Sequence, residues 1–220
     1  CEKLPGAEPK TEMWYVVAAK PTAKIIAGLS PKCTKLSFME TYATSEVERN
    51  LEIFDAKPGD AYFINAGLVH AIGAGNLLLE IQQNSDTTFR ISDWGRVGTD
   101  GKPRQLHIDE AMKSIDFANR APARVTGVSG SVQHNRKFPI ITRCPFFVVD
   151  DLRLVDTWID QADGSSFHML TAINNPVTVG REDIQVTVGA GRTCLIPATF
   201  GNYEINVENG KETSVIKTVL

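Results

Sequence analysis

The chain has 220 residues, enough for one large domain or two small ones, and its 42% apolar content can fill a real core. Its 23 Lys and Arg against 26 Asp and Glu leave a formal net charge of −3, which argues against the basic footprint of non-specific nucleic-acid binding. The longest unbroken apolar run, Met13 to Ala19, is far too short to span a membrane as a helix, and no charged segment followed by an apolar one marks a signal peptide.

Taken in order, Met13–Ala19 and Lys24–Gly28 read as strands rich in Val, Ile and aromatic residues. Leu36, Met39 and Ala43 recur at helical spacing, and Ser45 with Glu48 three residues on is a capping-box pattern for a second short helix. From Leu51 onward strands are expected again: AYFINAG, NLLLEIQQ and TTFRISDW, separated by Gly- and Asn-containing turns. Ile108, Met112 and Ile115 mark one more short helix.

Residues 119–139, NRAPARVTGVSGSVQHNRKFP, are polar, hold no acidic residue and carry Gly, Ser and Pro; they are expected to connect two halves. Beyond them FFVVDDLRLV, FHMLTAI, IQVTV, TCLIPA, YEINV and SVIKTVL form an all-β run. The division expected is therefore residues 1–118, a connection over 119–139, and 140–220. A short repeat joins the halves. With Gly59 placed over Gly191, Ile64 falls on Ile196, Ala66 on Ala198 and His70 on Asn202, as two barrels built alike would give.

The four cysteines, Cys1, Cys33, Cys144 and Cys194, are widely spaced and form no CxxC pair. A disulfide framework or thiolate zinc site is not indicated, and a reducing compartment, the cytoplasm, fits best. Cys1 is read as an ordinary residue rather than a lipidated terminus, because no upstream signal is there to read. The missing initiator Met leads us to expect that the sequence begins inside a longer protein.

One stretch, PGDAYFINAGLVHAIGAG, holds a lone histidine, His70. By itself such a residue is more often a core histidine satisfied by the backbone than a ligand. Its setting resembles the second signature of the cupin superfamily, which runs Gly, five residues, Pro-x-Gly, two residues, His. Gly59, Gly67 and His70 match, and Asn65 departs from the usual Pro. Together with KTEMWYVV (Lys10 to Val17), LVHAIGAGNLLLEIQQNSDTTFR (Leu68 to Arg90) and LHIDEAMKSID (Leu106 to Asp116), the chain resembles a type I mannose-6-phosphate isomerase of the short bacterial form. The likeness is strongest from Lys10 to Asp116.

What the resemblance implies is two tandem cupin-type β-barrels with a few short helices, only the first bearing a metal site. It implies zinc as the cofactor, a phosphosugar as the partner, and interconversion of mannose 6-phosphate and fructose 6-phosphate. Glu12 and His70 fall on zinc ligands. Lys10, Glu80, Asp86 and Arg90 fall on catalytic positions, and Arg96 on a basic residue that meets the substrate phosphate. These types suit the chemistry: a tuned carboxylate can carry the proton, a guanidinium can stabilise an oxyanion, and zinc can polarise substrate oxygens.

Taken singly, each residue has a plainer reading. Glu12 beside Trp14 fits an exposed strand position. Asp86 and Arg90 fit a surface ion pair. Glu80 is equally an outward strand residue or a buried one, and His107, His134 and His168 read as structural. The family's Gln-x-His pair upstream of Lys10 is absent from this sequence, so Glu12 and His70 fall short of the three protein ligands that zinc normally takes. The 220 residues alone are expected to be inactive. A sugar- or partner-binding cupin without metal, or a cupin isomerase or epimerase for another phosphosugar, are the alternatives, and the oligomeric state is left open.

Overall fold

The computed structural model describes residues 6–119, 121–125, 130–208 and 211–220. Cys1 and residues 120 and 126–129 of the expected connection lie outside them. The chain is all-β in class with few short helices, and it divides between Val125 and Thr126 into two compact units. No helix among the described residues is long and apolar enough to cross a membrane.

The N-terminal unit runs β1 (Glu12–Ala19), β2 (Lys24–Leu29), α1 (Lys35–Thr41), a 3-10 turn (Ser45–Asn50), β3 (Leu51–Asp55), β4 (Ala61–Ile64), β5 (His70–Ile72), β6 (Asn76–Gln82), α2 (Ile108–Ser114) and β7 (Arg124–Val125). Two antiparallel sheets form, in the orders β6-β1-β4-β7 and β3-β2-β5. Met13, Trp14, Tyr15 and Val16 of β1 are all buried, which explains why this central strand reads as a continuous apolar run rather than an alternating one. Trp14, Val16, Ile25, Tyr62 and Ile64 share one core cluster. A second cluster gathers Leu29, Cys33 and Phe38, with Met112 and Ile115 of the α2 region packed against it.

The C-terminal unit follows with β8 (Arg136–Ile141), β9 (Val148–Leu154), β10 (Trp158–Ala162), β11 (His168–Ala172), β12 (Val177–Arg181), β13 (Ile184–Val188), β14 (Thr193–Ile196), β15 (Gly201–Val207) and β16 (Thr213–Val219). Its sheets run β10-β15-β12-β13 and β14-β11-β16-β9-β8. Leu152, Leu170, Val179, Ile205 and Val215 lie in its core.

The two units share a plan. β1 lies between β6 and β4 as β11 lies between β16 and β14, and β2 lies between β3 and β5 as β12 lies between β13 and β15. Glu12 pairs with Ile64 and His168 pairs with Ile196. Glu12 and His168 therefore hold equivalent places, as do Glu80 (opposite Trp14) and Lys217 (opposite Leu170).

Several expectations need correction. TTFRISDW is not a strand. Helix α1 buries Phe38 and leaves Leu36 and Met39 exposed, so the apolar spacing marks its outer face. The capping box belongs to α1, where Thr34 and Ser37 bond each other reciprocally, while Ser45 opens a 3-10 turn capped by Thr44. Both ends of the expected connection enter sheets. Arg124 and Val125 pair with β4, and Arg136 to Pro139 pair with β9. Asn202 lies on the exposed side of β15 opposite Gln161, while its neighbour Tyr203 turns inward and bonds the buried His168.

Candidate active site

Alternation along β1 sets the site's first wall. Lys10, Glu12 and Trp14 are spaced by two and share a face. Glu12 is only 3% exposed, so the plain reading of it as an exposed strand residue fails. Its carboxylate accepts from Lys10 Nζ at 2.6 Å on Oε1 and from Trp14 Nε1 at 3.1 Å on Oε2. Lys10 Nζ also lies 3.7 Å from Glu80 Oε1. Glu80 reaches this group because β6 pairs with β1 and sets it opposite Trp14. Burial, and then the neighbouring Glu12 carboxylate, push the Glu80 carboxyl above its ordinary range, with Lys10 opposing them.

His70 arrives from β5, after a tight turn between β4 and β5. Gly67 in that turn has φ +88°, and a Cβ there would lie 2.7 Å from the carbonyl oxygen of Ser114, so the close approach of α2 requires glycine. His70 Nδ1 is 2.8 Å from the Leu68 carbonyl oxygen. A carbonyl only accepts, so Nδ1 carries a proton, and in the neutral imidazole Nε2 is the nitrogen with the free lone pair. The imidazole meets the Trp14 ring edge-on, with centroids 5.3 Å apart. Trp14 thus contacts both Glu12 and His70.

Further lining comes from the irregular stretch after β6. Backbone hydrogen bonds tie Arg90 to His107 in both directions: His107 N donates to the Arg90 carbonyl at 2.8 Å, and Arg90 N donates to His107 Nδ1 at 3.2 Å. Arg90 Nη1 donates to the Gln105 carbonyl. Further along, Asp93 is 7% exposed. It accepts from Arg104 Nε at 2.8 Å and from Arg104 Nη2, and pairs with Arg96 Nη2 at 3.0 Å. The Arg104 hydrogen bonds above all, followed by the charges of Arg104, Arg96 and Arg90, outweigh its burial and bring its pKa to about 2.

These walls enclose a cavity of about 830 Å³ lined by Lys10, Glu12, His70, Arg90, Arg96 and Arg104, among others. Glu80 stands beside the cavity and joins it through Lys10. Asp86 is exposed, is not among the lining residues, and makes no ion pair with Arg90 among the described residues. Asp93 and Arg104 escaped the sequence reading. Their pairing spans 11 positions across a loop, where no periodic pattern announces a contact.

Glu12 and the Nε2 atom of His70 are metal-type donors on one cavity, but they are two where zinc normally takes at least three protein ligands. Among the described residues no three His, Cys, Asp or Glu side chains cluster so as to hold a metal ion. The residues present do not by themselves make a zinc site.

In the C-terminal unit the equivalent place is filled from within. His168 Nδ1 is 2.8 Å from the Tyr203 hydroxyl, and Lys217 Nζ donates to Asp160 Oδ2 at 2.6 Å.

No family model matches the chain. It is 41% identical over 196 residues to the probable mannose-6-phosphate isomerase GmuF of Bacillus subtilis, covering 89% of this chain and 61% of that protein. It is 29% identical over 203 residues to the mannose-6-phosphate isomerase of Streptococcus mutans, covering 91% of this chain and 62% of that protein. The crystal structure of the mannose 6-phosphate isomerase from Bacillus subtilis matches 96% of this chain and 64% of its own with a TM-score of 0.80 at 26% identity. A phosphomannose isomerase from Salmonella typhimurium shares the fold, with a TM-score of 0.68 at 12% identity, over 96% of this chain and 66% of its own. The chain spans about three fifths of the length of these curated relatives. Along nine-tenths of its length the chain is thus similar in sequence, and also in fold, to proteins named mannose-6-phosphate isomerases.

Proposed function

We propose that the protein of which these residues form part is a zinc-dependent, cytoplasmic aldose–ketose isomerase that interconverts mannose 6-phosphate and fructose 6-phosphate. The observation that carries this reading is that Lys10, Glu12 and His70, joined through hydrogen bonds and the Trp14 ring, line the same cavity as Arg90, Arg96 and Arg104. The names of the relatives support the activity and the substrate class. In this reading zinc is held by Glu12, His70 and donors outside these 220 residues, and the chain alone is inactive.

The proton and charge steps fall to the chain's own side chains. The isomerisation takes a proton from C2 of the aldose, passes through an enediolate and returns a proton to C1. Glu80, whose carboxyl is held above its ordinary value by burial and by Glu12, is suited to carry that proton. The Arg90 guanidinium stays charged and stabilises the enediolate oxygen. Lys10 lies between the Glu12 and Glu80 carboxylates and offsets one of their two negative charges. Arg96 meets the phosphate. Asp86 has no step in this scheme.

A second reading rests on the incomplete donor set: a cupin that binds a sugar phosphate without turning it over. A coupled assay on the full-length gene product, loaded with zinc, separates the two. Turnover of mannose 6-phosphate supports the isomerase. Saturable binding with no turnover of either sugar phosphate, in a folded and metal-loaded sample, overturns it and supports the binding module.

A further inference from the structure

The cluster around Asp93 deepens the proposed function and rests on it for the identity of the sugar. One buried carboxylate engages two arginines. Arg104 approaches as a fork, through Nε and Nη2, while Arg96 adds Nη2 on Oδ1 and its Nε on the Asp93 backbone carbonyl at 3.3 Å. Arg96 also lies over the Trp94 ring, 5.6 Å from its centroid. Arg90 adds a third positive charge close enough to act on Asp93. Arg104 and Arg96 contact the carboxylate and Arg90 acts on it through its charge, so positive groups outnumber negative ones in the immediate surroundings of Asp93.

Nη1 of Arg96 and Nη1 of Arg104 take no part in the contacts with Asp93, and both residues line the cavity. A guanidinium on a flexible stem ordinarily loses conformational freedom when it grips an anion. Here one edge of each fork is already fixed, so the other edge is presented in advance. The ligand that matches in charge and geometry is a phosphate monoester dianion, which accepts bidentate arginine bonds.

We propose that Asp93 is a positioning residue which locks Arg96 and Arg104 into a two-arginine seat for the phosphate of the sugar phosphate. The proposal makes a counterintuitive demand. Asp93 is itself negative, so simple charge counting says that neutralising it tightens phosphate binding. A positioning role says that the same change weakens it, because both forks come loose.

The test is calorimetric titration of the full-length protein with inorganic phosphate, mannose 6-phosphate and mannose. The wild type is expected to bind both phosphate ligands and to bind mannose far more weakly. Arg104→Gln lowers affinity for both phosphate ligands by about tenfold, and Arg104→Lys recovers only part because it lacks the fork. Asp93→Asn lowers affinity despite the removed negative charge. Unchanged or tighter phosphate binding by Asp93→Asn, unchanged binding by Arg104→Gln, or no phosphate binding by the folded wild type overturns the proposal. Should Asp93→Asn fail to fold, as circular dichroism would show, Arg104→Gln alone decides. The isomerase reading fails separately. Phosphate binding that depends on Arg104, with no turnover by the full-length protein, refutes the isomerase and keeps the seat. Turnover with an unchanged KM in Arg104→Gln refutes the seat and keeps the isomerase.

Discussion

His168 holds in the C-terminal unit the strand position that Glu12 holds in the N-terminal unit, each opposite an isoleucine, Ile196 and Ile64. The fates of the two places diverge. Glu12 faces an open cavity, whereas His168 is 5% exposed and bonded to Tyr203.

A pH dependence follows from that burial. Burial first, then the Lys217 charge, hold the His168 pKa below its ordinary value. The unfolded chain then binds a proton at a pH where the folded chain does not, so stability is fully present above the unfolded pKa of about 6.5 and falls as pH drops below it. Urea midpoints measured at pH 7.5 and at pH 5 should differ by less in His168→Gln than in the wild type. An identical pH slope in the two proteins contradicts the assignment.

Trp14→Phe keeps a ring against His70 and removes the donor to Glu12. With a charged acceptor in a buried place, the loss is expected to cost about 2 kcal/mol in chemical denaturation. In the zinc-loaded full-length protein it should lower metal affinity at least about tenfold, as loss of an outer-shell partner does. Metal competition titrations check the second figure, and an affinity equal to wild type would show that Trp14 only packs.

Glu80→Gln should lower kcat of the full-length enzyme about a hundredfold or more, if Glu80 carries the proton. The wild-type rate should rise with pH through a midpoint above the ordinary glutamate value of about 4.3, since the acting form is the carboxylate and its pKa is raised. That limb should vanish in the variant. A pH–rate profile in which the limb survives assigns it to another group.

Phe38→Ala and Leu36→Ala test which face of α1 is inward. Phe38 is 1% exposed and stacks edge-on against Phe117 at 5.8 Å; its truncation should cost about 3–5 kcal/mol. Leu36 is 68% exposed, and its truncation should stay within about 0.5 kcal/mol. Equal losses in thermal or urea unfolding would mean that the helix face is misassigned.

The strands with the plainest chemistry were readable from sequence. β1, β2, β4 and β6 are bounded by turn residues and dominated by Val, Ile, Leu and aromatics, so local propensity and tertiary pairing agree. The misreadings share a cause. In TTFRISDW, Phe89 and Ile91 alternate as in a strand, yet no strand among the described residues pairs with them and they line the cavity instead. Leu36 and Met39 have helical spacing, but the face that packs is chosen by Phe38, whose neighbours Met112 and Ile115 come from far along the chain. Glu12 and His70 were identified through a family motif. Asp93 and Arg104 belong to no such motif and meet only because the loop between them folds back, at the Val97–Pro103 bridge.

That loop has a consequence for how such a protein changes over time. The barrel strands are fixed by register, and a one-residue slip would turn Glu12 outward. The wall carrying the arginines obeys no register and is anchored through the reciprocal Arg90–His107 link. Insertions and replacements between these anchors leave the strand ladder untouched. Residues of the loop can therefore change while Glu12 and Glu80 keep their places on β1 and β6, which divides this unit into a constrained part and a permissive one.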